Sequence, residues 1–288
     1  MHAGVQVAGT SGIHRDPPWA GGDRPQRVDV TSSYDLGVER YEQLWGPVIL
    51  PAAVALVPRL ELAHGDVLLD VGTGTGALVP AIRSAAPTAS VLGVDASQEM
   101  LRVALSQREI PVARGDAMML PVRAASVDAV VFAYVLFHLS DPSAALREAY
   151  RVLRPGGRVA TVTWARDAAE AAQKLWDKAL AEAGAPGLRL RRSDVGLDSA
   201  EAVGELLRSA GFSPSRVWLE GLSKQWDPES FFALATGAGP SRQRLAGLDA
   251  VARSSLLERF REDLAHLRPE DFSWEGEVIC AVAVKDHD

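Results

Sequence analysis

Three glycines close together are the first feature of this sequence that could do chemistry. The stretch "LLDVGTGTGA" (68–77) carries Gly72, Gly74 and Gly76 after an apolar run that contains Asp70. Glycine destabilises the interior of a strand or a helix, so such a cluster indicates a backbone turn that another group approaches closely. A turn that follows a strand and opens a helix is also a typical ligand-binding loop. The stretch therefore predicts a loop whose bare backbone faces a ligand.

Two acidic residues follow this loop at positions that suit a nucleoside. Asp95 ends the run "SVLGVD" (90–95), about twenty residues beyond the turn, where a carboxylate accepts hydrogen bonds from ribose hydroxyls. Asp116 stands in "RGDAMMLPV" (114–122) and is followed by apolar residues. An acid beside apolar side chains suits an adenine, because the carboxylate accepts from the exocyclic amine while apolar surface packs on the ring. The glycine turn alone also fits a looser dinucleotide pattern, so Asp70, two positions before the first glycine, together with Asp95 and Asp116 carries the distinction.

The elements that must position these residues alternate between strands and helices. The strand-like runs lie at 67–71, 90–95, 111–116, 127–133, 158–164, 215–222 and 277–285. Continuously apolar strands separated by helices are typical of a parallel sheet that is covered on both faces. The sequence therefore predicts an α/β fold with a doubly wound, seven-stranded, mostly parallel sheet. In such a sheet, ligands bind beyond the carboxyl ends of the strands, which is where the glycine turn lies.

The predicted organisation is one large domain, residues 31–288, behind a tail. Residues 1–30 contain charges and prolines and predict a flexible, poorly ordered tail. A helical lid is predicted over residues 31–64, and the ligand-binding core is predicted over residues 65–165. The helical stretch 223–275, before the last strand, is too long for a hairpin loop. We expect it to cover one end of the sheet and to carry substrate contacts.

Together the motifs resemble those of a known enzyme family. The series "LLDVGTGTG … VLGVDAS … GDAMMLPV … VDAVVFAYVLFHL … ALREAYRVLRPGGRV" is similar to the class I S-adenosylmethionine-dependent methyltransferases, in the small-molecule branch of ubiquinone and menaquinone biosynthesis. The similarity covers roughly residues 34–165, and the linked motifs are more specific than any one alone. The resemblance implies a Rossmann-like methyltransferase fold and S-adenosylmethionine as the cofactor.

The resemblance also implies how the cofactor is held. The glycine turn would approach its methionine portion, which Asp70 would orient through its amine or a water. Asp95 would hold the ribose, Asp116 and the Ala117 backbone would bind the adenine, and the segment 133–137 would lie under the sulfonium. The implied cofactor-binding residues are Asp70, Gly72, Thr73, Gly74, Gly76, Asp95, Ala96, Met100, Gly115, Asp116, Ala117, Ala133 and Tyr134.

His138 is the predicted catalytic residue. Methyl transfer from a sulfonium is an in-line displacement of an activated group, so holding the acceptor in line supplies much of the acceleration. A hydroxyl or an acidic carbon as acceptor also needs a general base, and His138 titrates near neutral pH just after the segment expected to face the sulfonium. Relatives often show two histidines where this chain has Phe137 and His138. A structural role for His138, His266 as the base, and transfer without any base stay open.

Aromatic side chains are expected to line an acceptor pocket that suits a flat or apolar small molecule. The predicted substrate-binding residues are Tyr34, Tyr41, Trp45, Phe137, Trp164 and Phe231. Packing in the core is the alternative for each of them. The predicted function is methylation of oxygen, carbon or nitrogen on a secondary metabolite or a quinone-like intermediate. A cyclase or isomerase that uses the cofactor as a scaffold is the alternative.

Composition argues against several other classes of function. The net charge is −7 over 288 residues, whereas a nucleic-acid partner requires clustered Lys and Arg. The single cysteine, Cys280, excludes an internal disulfide framework and fits a reducing compartment. No apolar run reaches membrane-spanning length, and no cluster shows metal-ligand spacing. We therefore expect a cytoplasmic monomer or homodimer that binds a small-molecule acceptor but no nucleic acid, membrane or metal.

Overall fold

Backbone hydrogen bonds join the apolar runs of the sequence into one seven-stranded sheet. The structure is a computed structural model that describes residues 26–28, 42–168, 170–190, 196–237 and 239–287. Its strands are β1 (Gln26–Val28), β2 (Val67–Val71), β3 (Ser90–Asp95), β4 (Val112–Arg114), β5 (Val127–Ala133), β6 (Leu153–Ala168), β7 (Leu188–Leu190), β8 (Ser213–Gln225) and β9 (Ser273–Val284). Strands β1 and β7 pair separately from the main sheet.

The strand order of the main sheet is β4-β3-β2-β5-β6-β9-β8. Strand β2 pairs in parallel with β3 and β5, β3 pairs in parallel with β4, and β5 pairs in parallel with β6. Strand β9 is antiparallel to both of its neighbours, β6 and β8. After β2 the chain adds β3 and β4 on one side of it and then crosses to β5 on the other side. The strand order therefore reverses between β2 and β5, and ligands of such sheets bind at the carboxyl ends of the strands at this switch point. The predicted doubly wound, mostly parallel sheet is confirmed.

Helices lie on both faces of this sheet. They are α1 (Gly46–Val54), α2 (Val79–Ala85), α3 (Gln98–Arg108), α4 (Pro142–Val152), α5 (Ala171–Glu182), α6 (Ala200–Ser209), α7 (Pro228–Gly237), α8 (Gly239–Ala246) and α9 (Ala250–Ala265). Short 3₁₀ turns lie at Val57–Leu60, Leu136–His138 and Pro269–Phe272. None of the described helices has both the length and the apolar character needed to cross a bilayer.

The buried side chains form three clusters. Alternate residues of β2 divide between the first two: Leu69 joins the cluster that includes α4 and α6, and Leu68 joins the cluster that includes α1 and α2. This division explains why the strands are apolar on both faces. The third cluster lies among α5, α7 and α9 and contains Trp176, Phe231 and Phe260. The helical cover therefore has a core of its own.

Two predicted boundaries need correction. Within the predicted tail, residues 1–30, Gln26–Val28 form β1 and pair in parallel with β7; the rest of the tail lies outside the described residues. The predicted cover, residues 223–275, contains α7, α8 and α9, but β8 extends into its start and β9 begins before its end. The two strands pair along this whole length, up to Gln225 with Ser273. Backbone pairing therefore continues beyond the apolar residues from which the strands were predicted.

Candidate functional site

A cavity of about 660 Å³ lies at the switch point of the sheet. Its walls come from the ends of β2, β3 and β5, the loop after β4 and helix α1. Cavities of this size hold small organic ligands. Of the residues predicted to bind the cofactor, those that line the cavity are Asp70, Gly72, Thr73, Gly74, Asp95, Ala96, Met100, Gly115, Asp116, Ala117, Ala133 and Tyr134. The structure thus brings together almost the whole predicted set; Gly76 lies next to the cavity but does not line it.

The three glycines of the turn serve different purposes. All have positive φ: 71° at Gly72, 56° at Gly74 and 73° at Gly76. A Cβ added at Gly72 would lie 2.2 Å from Cγ2 of Val135, and one at Gly76 would lie 2.8 Å from Cγ of Arg108. At Gly74 a Cβ would meet nothing closer than the Met100 sulfur at 4.0 Å. Gly72 and Gly76 are thus required by the packing of the turn, and Gly74 is the one that leaves bare backbone toward the cavity.

Asp70 is a buried acid at the base of the turn, with 2% of its surface exposed. The Thr73 hydroxyl donates to its Oδ2 at 2.8 Å. Burial raises the pKa of Asp70 to about 7; the Thr73 hydrogen bond opposes this shift, and the charge of Asp95 adds to it. Thr73 is itself confined, because a Cβ at Gly93 would lie 2.8 Å from its Cγ2. Gly93 is the residue of β3 that lies opposite Asp70 in the sheet.

Asp95 is held rigidly at the end of β3 by two backbone amides. Its Oδ2 accepts from Gly74 N at 2.9 Å, and its Oδ1 accepts from Ser97 N at 2.8 Å. Ser97 in turn begins helix α3, where its hydroxyl accepts from Met100 N. Each carboxylate oxygen has further acceptor capacity, so this carboxylate can receive a pair of hydroxyl donors from a ligand in the cavity.

Asp116 lies in a tight turn after β4. Its Oδ1 accepts from Met118 N at 2.8 Å, and the residue forms an isolated bridge with Met119. The apolar residues after it separate: Met118 lines the cavity, Met119 is 75% exposed, and Leu120 is buried in the core. Of Met118, Met119 and Leu120, only Met118 is therefore placed to pack against a ligand there.

The end of β5 brings His138 to the same cavity. After Ala133 the chain turns at Tyr134 and enters the 3₁₀ turn Leu136–His138, which directs His138 to the cavity wall. The His138 ring centroid lies 3.9 Å from that of Phe137. The candidate base is thus adjacent to the predicted cofactor-binding residues Ala133 and Tyr134.

Of the residues predicted to bind the acceptor, the four that the structure describes, Trp45, Phe137, Trp164 and Phe231, do not line this cavity. Phe231 is 1% exposed and packs inside the cover, where its ring centroid lies 5.8 Å from that of Phe272. Trp45 and Trp164, 6.2 Å apart, belong to an aromatic cluster with Trp226 and Trp274.

Phe137 was also predicted to bind the acceptor. It packs against both hydrophobic clusters that flank the sheet and does not line the cavity. Aromatic residues fill cores as readily as pockets, and here packing is the better account of these side chains. Tyr34 and Tyr41 lie outside the described residues.

Several residues of the cavity wall on the side of α1 were not predicted from the sequence. Ile49, Leu50 and Ala53 line it, and so does Glu42, which precedes α1. Glu42 Oε1 accepts from Arg108 Nη2 at 2.5 Å, a contact between residues 66 positions apart. No local pattern predicts such a pair. Among the described residues, no group of three His, Cys, Asp or Glu side chains could hold a metal ion.

Comparisons with known proteins agree with this site. Residues 69–161 match the family model described as a methyltransferase domain. A ubiquinone/menaquinone biosynthesis C-methyltransferase of Syntrophotalea carbinolica is 37% identical over 111 residues, 37% of this chain and 47% of that protein. The 27-O-demethylrifamycin SV methyltransferase of Amycolatopsis mediterranei is 29% identical over 262 residues, 83% of this chain and 92% of that protein. The chain spans about half the length of most curated relatives that it matches.

A solved structure shares the fold over most of the chain. The [4+2]-cyclase SpnF aligns with a TM-score of 0.56 at 20% identity, covering 90% of this chain and 96% of that one. Similarity at this level of identity shows the fold alone. The methyltransferase family model, in contrast, spans β2 to β6, the segment that carries the glycine turn, Asp95, Asp116 and His138. Residues 69–161 therefore match the methyltransferase domain family over the segment that carries the glycine turn and the acids of the cavity.

Proposed function

We propose that this chain transfers a methyl group from S-adenosylmethionine to oxygen, carbon or nitrogen of a small molecule. The observation that carries the proposal is one cavity at the switch point lined by the glycine turn, Asp95, Asp116 and His138 together. Two relatives are named as a ubiquinone/menaquinone biosynthesis C-methyltransferase and a 27-O-demethylrifamycin SV methyltransferase, and these names support a quinone-like or secondary-metabolite acceptor.

The residues of the cavity fit this cofactor. Gly74 leaves open space beyond its backbone for the methionine portion, Asp95 is fixed to receive the ribose hydroxyls, and Asp116 lies beside Met118 for the adenine. When bound, S-adenosylmethionine supplies a methyl group on a positively charged sulfur. In the described part of the chain, four acidic residues and one arginine line the cavity, a balance that suits a cationic ligand. They are Glu42, Asp70, Asp95, Asp116 and Arg114.

His138 accepts the proton of the acceptor in this proposal. The acceptor would lie between the end of β5 and the apolar residues of α1, Ile49 and Leu50, which exclude water from the site. A base with a pKa near the working pH gives the largest benefit to a hydroxyl acceptor. Positioning of the acceptor supplies the rest of the acceleration.

Binding of the cofactor tests the first half of the proposal. Asp95→Ala removes charge-assisted hydrogen bonds to the ribose, so we expect a rise in the Kd for S-adenosylmethionine of about tenfold to a hundredfold, measured by calorimetry. Asp249→Ala is the matched control, because Asp249 also accepts from two backbone amides but begins α9 in the cover. Equal affinity of the two variants would contradict the ribose assignment.

Transfer to an acceptor tests the second half. The protein is incubated with methyl-labelled S-adenosylmethionine and a panel of hydroquinones, phenols, enols and amines, and labelled products are identified by mass. On a hydroxyl acceptor, His138→Ala should lower kcat by about a hundredfold while the cofactor Kd stays within about twofold. Unchanged turnover would remove His138 as the base. Conversion of a substrate without S-adenosylhomocysteine would indicate a cyclase or isomerase and contradict the proposal.

A further inference from the structure

Tyr134 has an unusual backbone for a buried aromatic residue. Its φ is 59°, in the left-handed region that residues with a side chain rarely adopt. The other described non-glycine residues with positive φ are Glu61, Glu109 and Ala125, and all three are exposed. Tyr134 is 8% exposed and lines the cavity. An outlier of this kind persists only where its surroundings hold it, and such outliers cluster at functional sites.

Contacts on three sides hold Tyr134 in this conformation. Its backbone N–H donates to Val162 O at 2.9 Å, which ties it to β6. Its ring centroid lies 5.2 Å from that of Trp164. Its hydroxyl donates to Ile49 O at 3.0 Å, across 85 positions of sequence. Glycine or asparagine would adopt this backbone more easily, so the strain indicates that the phenol itself is needed.

The hydroxyl reaches the helix that forms one wall of the cavity. Helix α1 has only nine residues and contains Pro51, which lacks an N–H, so the carbonyl of Pro47, four residues earlier, loses its usual helical partner. A helix this short is marginal by itself and depends on tertiary contacts. Ile49 lines the cavity next to Leu50, so the hydrogen bond holds α1 at the position where it covers the site.

The chemistry of the phenol fits a donor and not a base. Burial raises the pKa of Tyr134 above its usual range, and the nearby Glu220 carboxylate adds to this effect. The hydroxyl therefore keeps its proton at neutral pH and can only donate to a carbonyl such as that of Ile49. We propose that Tyr134 is a positioning residue, which acts through its hydroxyl on the Ile49 carbonyl to fix α1 over the reaction end of the cavity.

The kinetic test of this proposal, a change in kcat, rests on the proposed function. Amide hydrogen exchange tests the same contact without requiring any enzymatic activity. Tyr134→Phe removes the hydroxyl but keeps the ring. We expect exchange in residues 46–54 to accelerate roughly two- to tenfold, with exchange in β5 unchanged. We also expect kcat to fall at least about fivefold while the cofactor Kd stays within about twofold. Tyr150→Phe is the control, because Tyr150 lies in α4 and packs against Phe212.

Each other outcome contradicts the proposal in a specific way. Unchanged exchange in residues 46–54 would show that the hydroxyl does not hold α1. An equal loss of cofactor affinity and turnover would make Tyr134 a cofactor contact. Failure of Tyr134→Phe to fold would make the hydroxyl a determinant of the whole fold. Tyr134→Asn distinguishes the backbone strain from the role of the hydroxyl, because Asn tolerates a positive φ but lacks the phenol. We expect this variant to fold, with fast amide exchange in α1 and low turnover.

If the wild-type protein methylates no acceptor, only the proposed function fails. The exchange comparison between Tyr134→Phe and Tyr150→Phe still decides the role of Tyr134, because it is measured on the protein alone. The kinetic comparison then applies to whichever reaction the protein is found to catalyse.

Discussion

At the scale of single residues, Asp70 is a buried carboxyl whose charged form is stabilised by one hydrogen bond, from Thr73, and disfavoured by burial. Its carboxyl accepts from the Thr73 hydroxyl and lies near Asp95, which repels its charged form. Burial is the larger effect and raises the pKa of Asp70 to about 7. The folded protein therefore binds this proton more strongly than the unfolded chain does.

This linkage predicts a pH-dependent effect of Asp70→Asn. The stability contributed by the neutral carboxyl is fully present below about pH 4, its unfolded pKa, and is lost as the pH rises through the folded pKa of about 7. Asn keeps an acceptor for Thr73 but never ionises. We expect the variant to gain stability relative to wild type from pH 5 to pH 8, by at most about 4 kcal/mol. Urea unfolding of both proteins across this range measures the difference, and parallel curves would contradict the prediction.

Single residues also show what the sequence could and could not predict about the site. Asp95 and Asp116 were predictable because each follows a strand, and the strand ends meet at one edge of a parallel sheet. The burial of Phe231 inside the cover was not predictable, because an aromatic residue type does not distinguish a pocket from a core. Glu42 was not predictable, because its partner Arg108 is distant in sequence.

At the scale of elements, the approach of the N-terminal segment to α3 depends on an ion pair. Arg108 is the last residue of α3, and its side chain packs on Gly76 while it pairs with Glu42 at the cavity wall. Both side chains of the pair are about three-quarters buried, so it is less screened by solvent than a surface pair. The pair thus joins the segment before α1 to the glycine turn.

Breaking this pair should loosen the segment before α1. Glu42→Gln is expected to raise the dissociation rate of S-adenosylmethionine about two- to fivefold in stopped-flow measurements, and to reduce the salt dependence of that rate. Glu99→Gln is the matched control, because Glu99 pairs with Arg102 at the same 2.5 Å distance on the exposed side of α3. Identical rates in the two variants would show that the Glu42–Arg108 pair does not restrain the cofactor.

The elements themselves were predictable, and their lengths were less so. Apolar runs placed the strands of the main sheet correctly, because strands of a parallel sheet are buried on both faces. Strands β8 and β9 are longer than their apolar runs, since an antiparallel pair continues as long as its backbones remain adjacent. The pairing of β1 with β7 joins segments that carry no such apolar signal.

At the scale of the whole molecule, the cover has a core that is separate from the two faces of the sheet. Phe260 is fully buried in it, and its ring centroid lies 4.5 Å from that of Trp176 and 5.9 Å from that of Phe232. Among the described residues, the cofactor cavity and this cluster share only Ile49 of α1, which lines the cavity and packs against the cluster. Stability of the cover and affinity for the cofactor should therefore respond separately to mutation.

Phe260→Ala tests this separation. Loss of a buried ring should lower the free energy of unfolding by about 3–5 kcal/mol, while the cofactor Kd of the folded protein changes by less than about twofold. Val251→Ala in the same helix is the control, because Val251 is 80% exposed and its truncation should cost less than about 0.5 kcal/mol. A large loss of cofactor affinity in Phe260→Ala would show that the cover and the cavity form one cooperative unit.

The contact between Gly93 and Thr73 has a consequence for protein engineering. Thr73 can reach Asp70 only because the adjacent strand presents a residue without a side chain beneath the threonine methyl group. The glycine loop is therefore not portable as a linear peptide. Transplanting "DVGTGTG" into another scaffold would require a second, non-contiguous substitution on the recipient's neighbouring strand, and a search template for this loop should include that empty position.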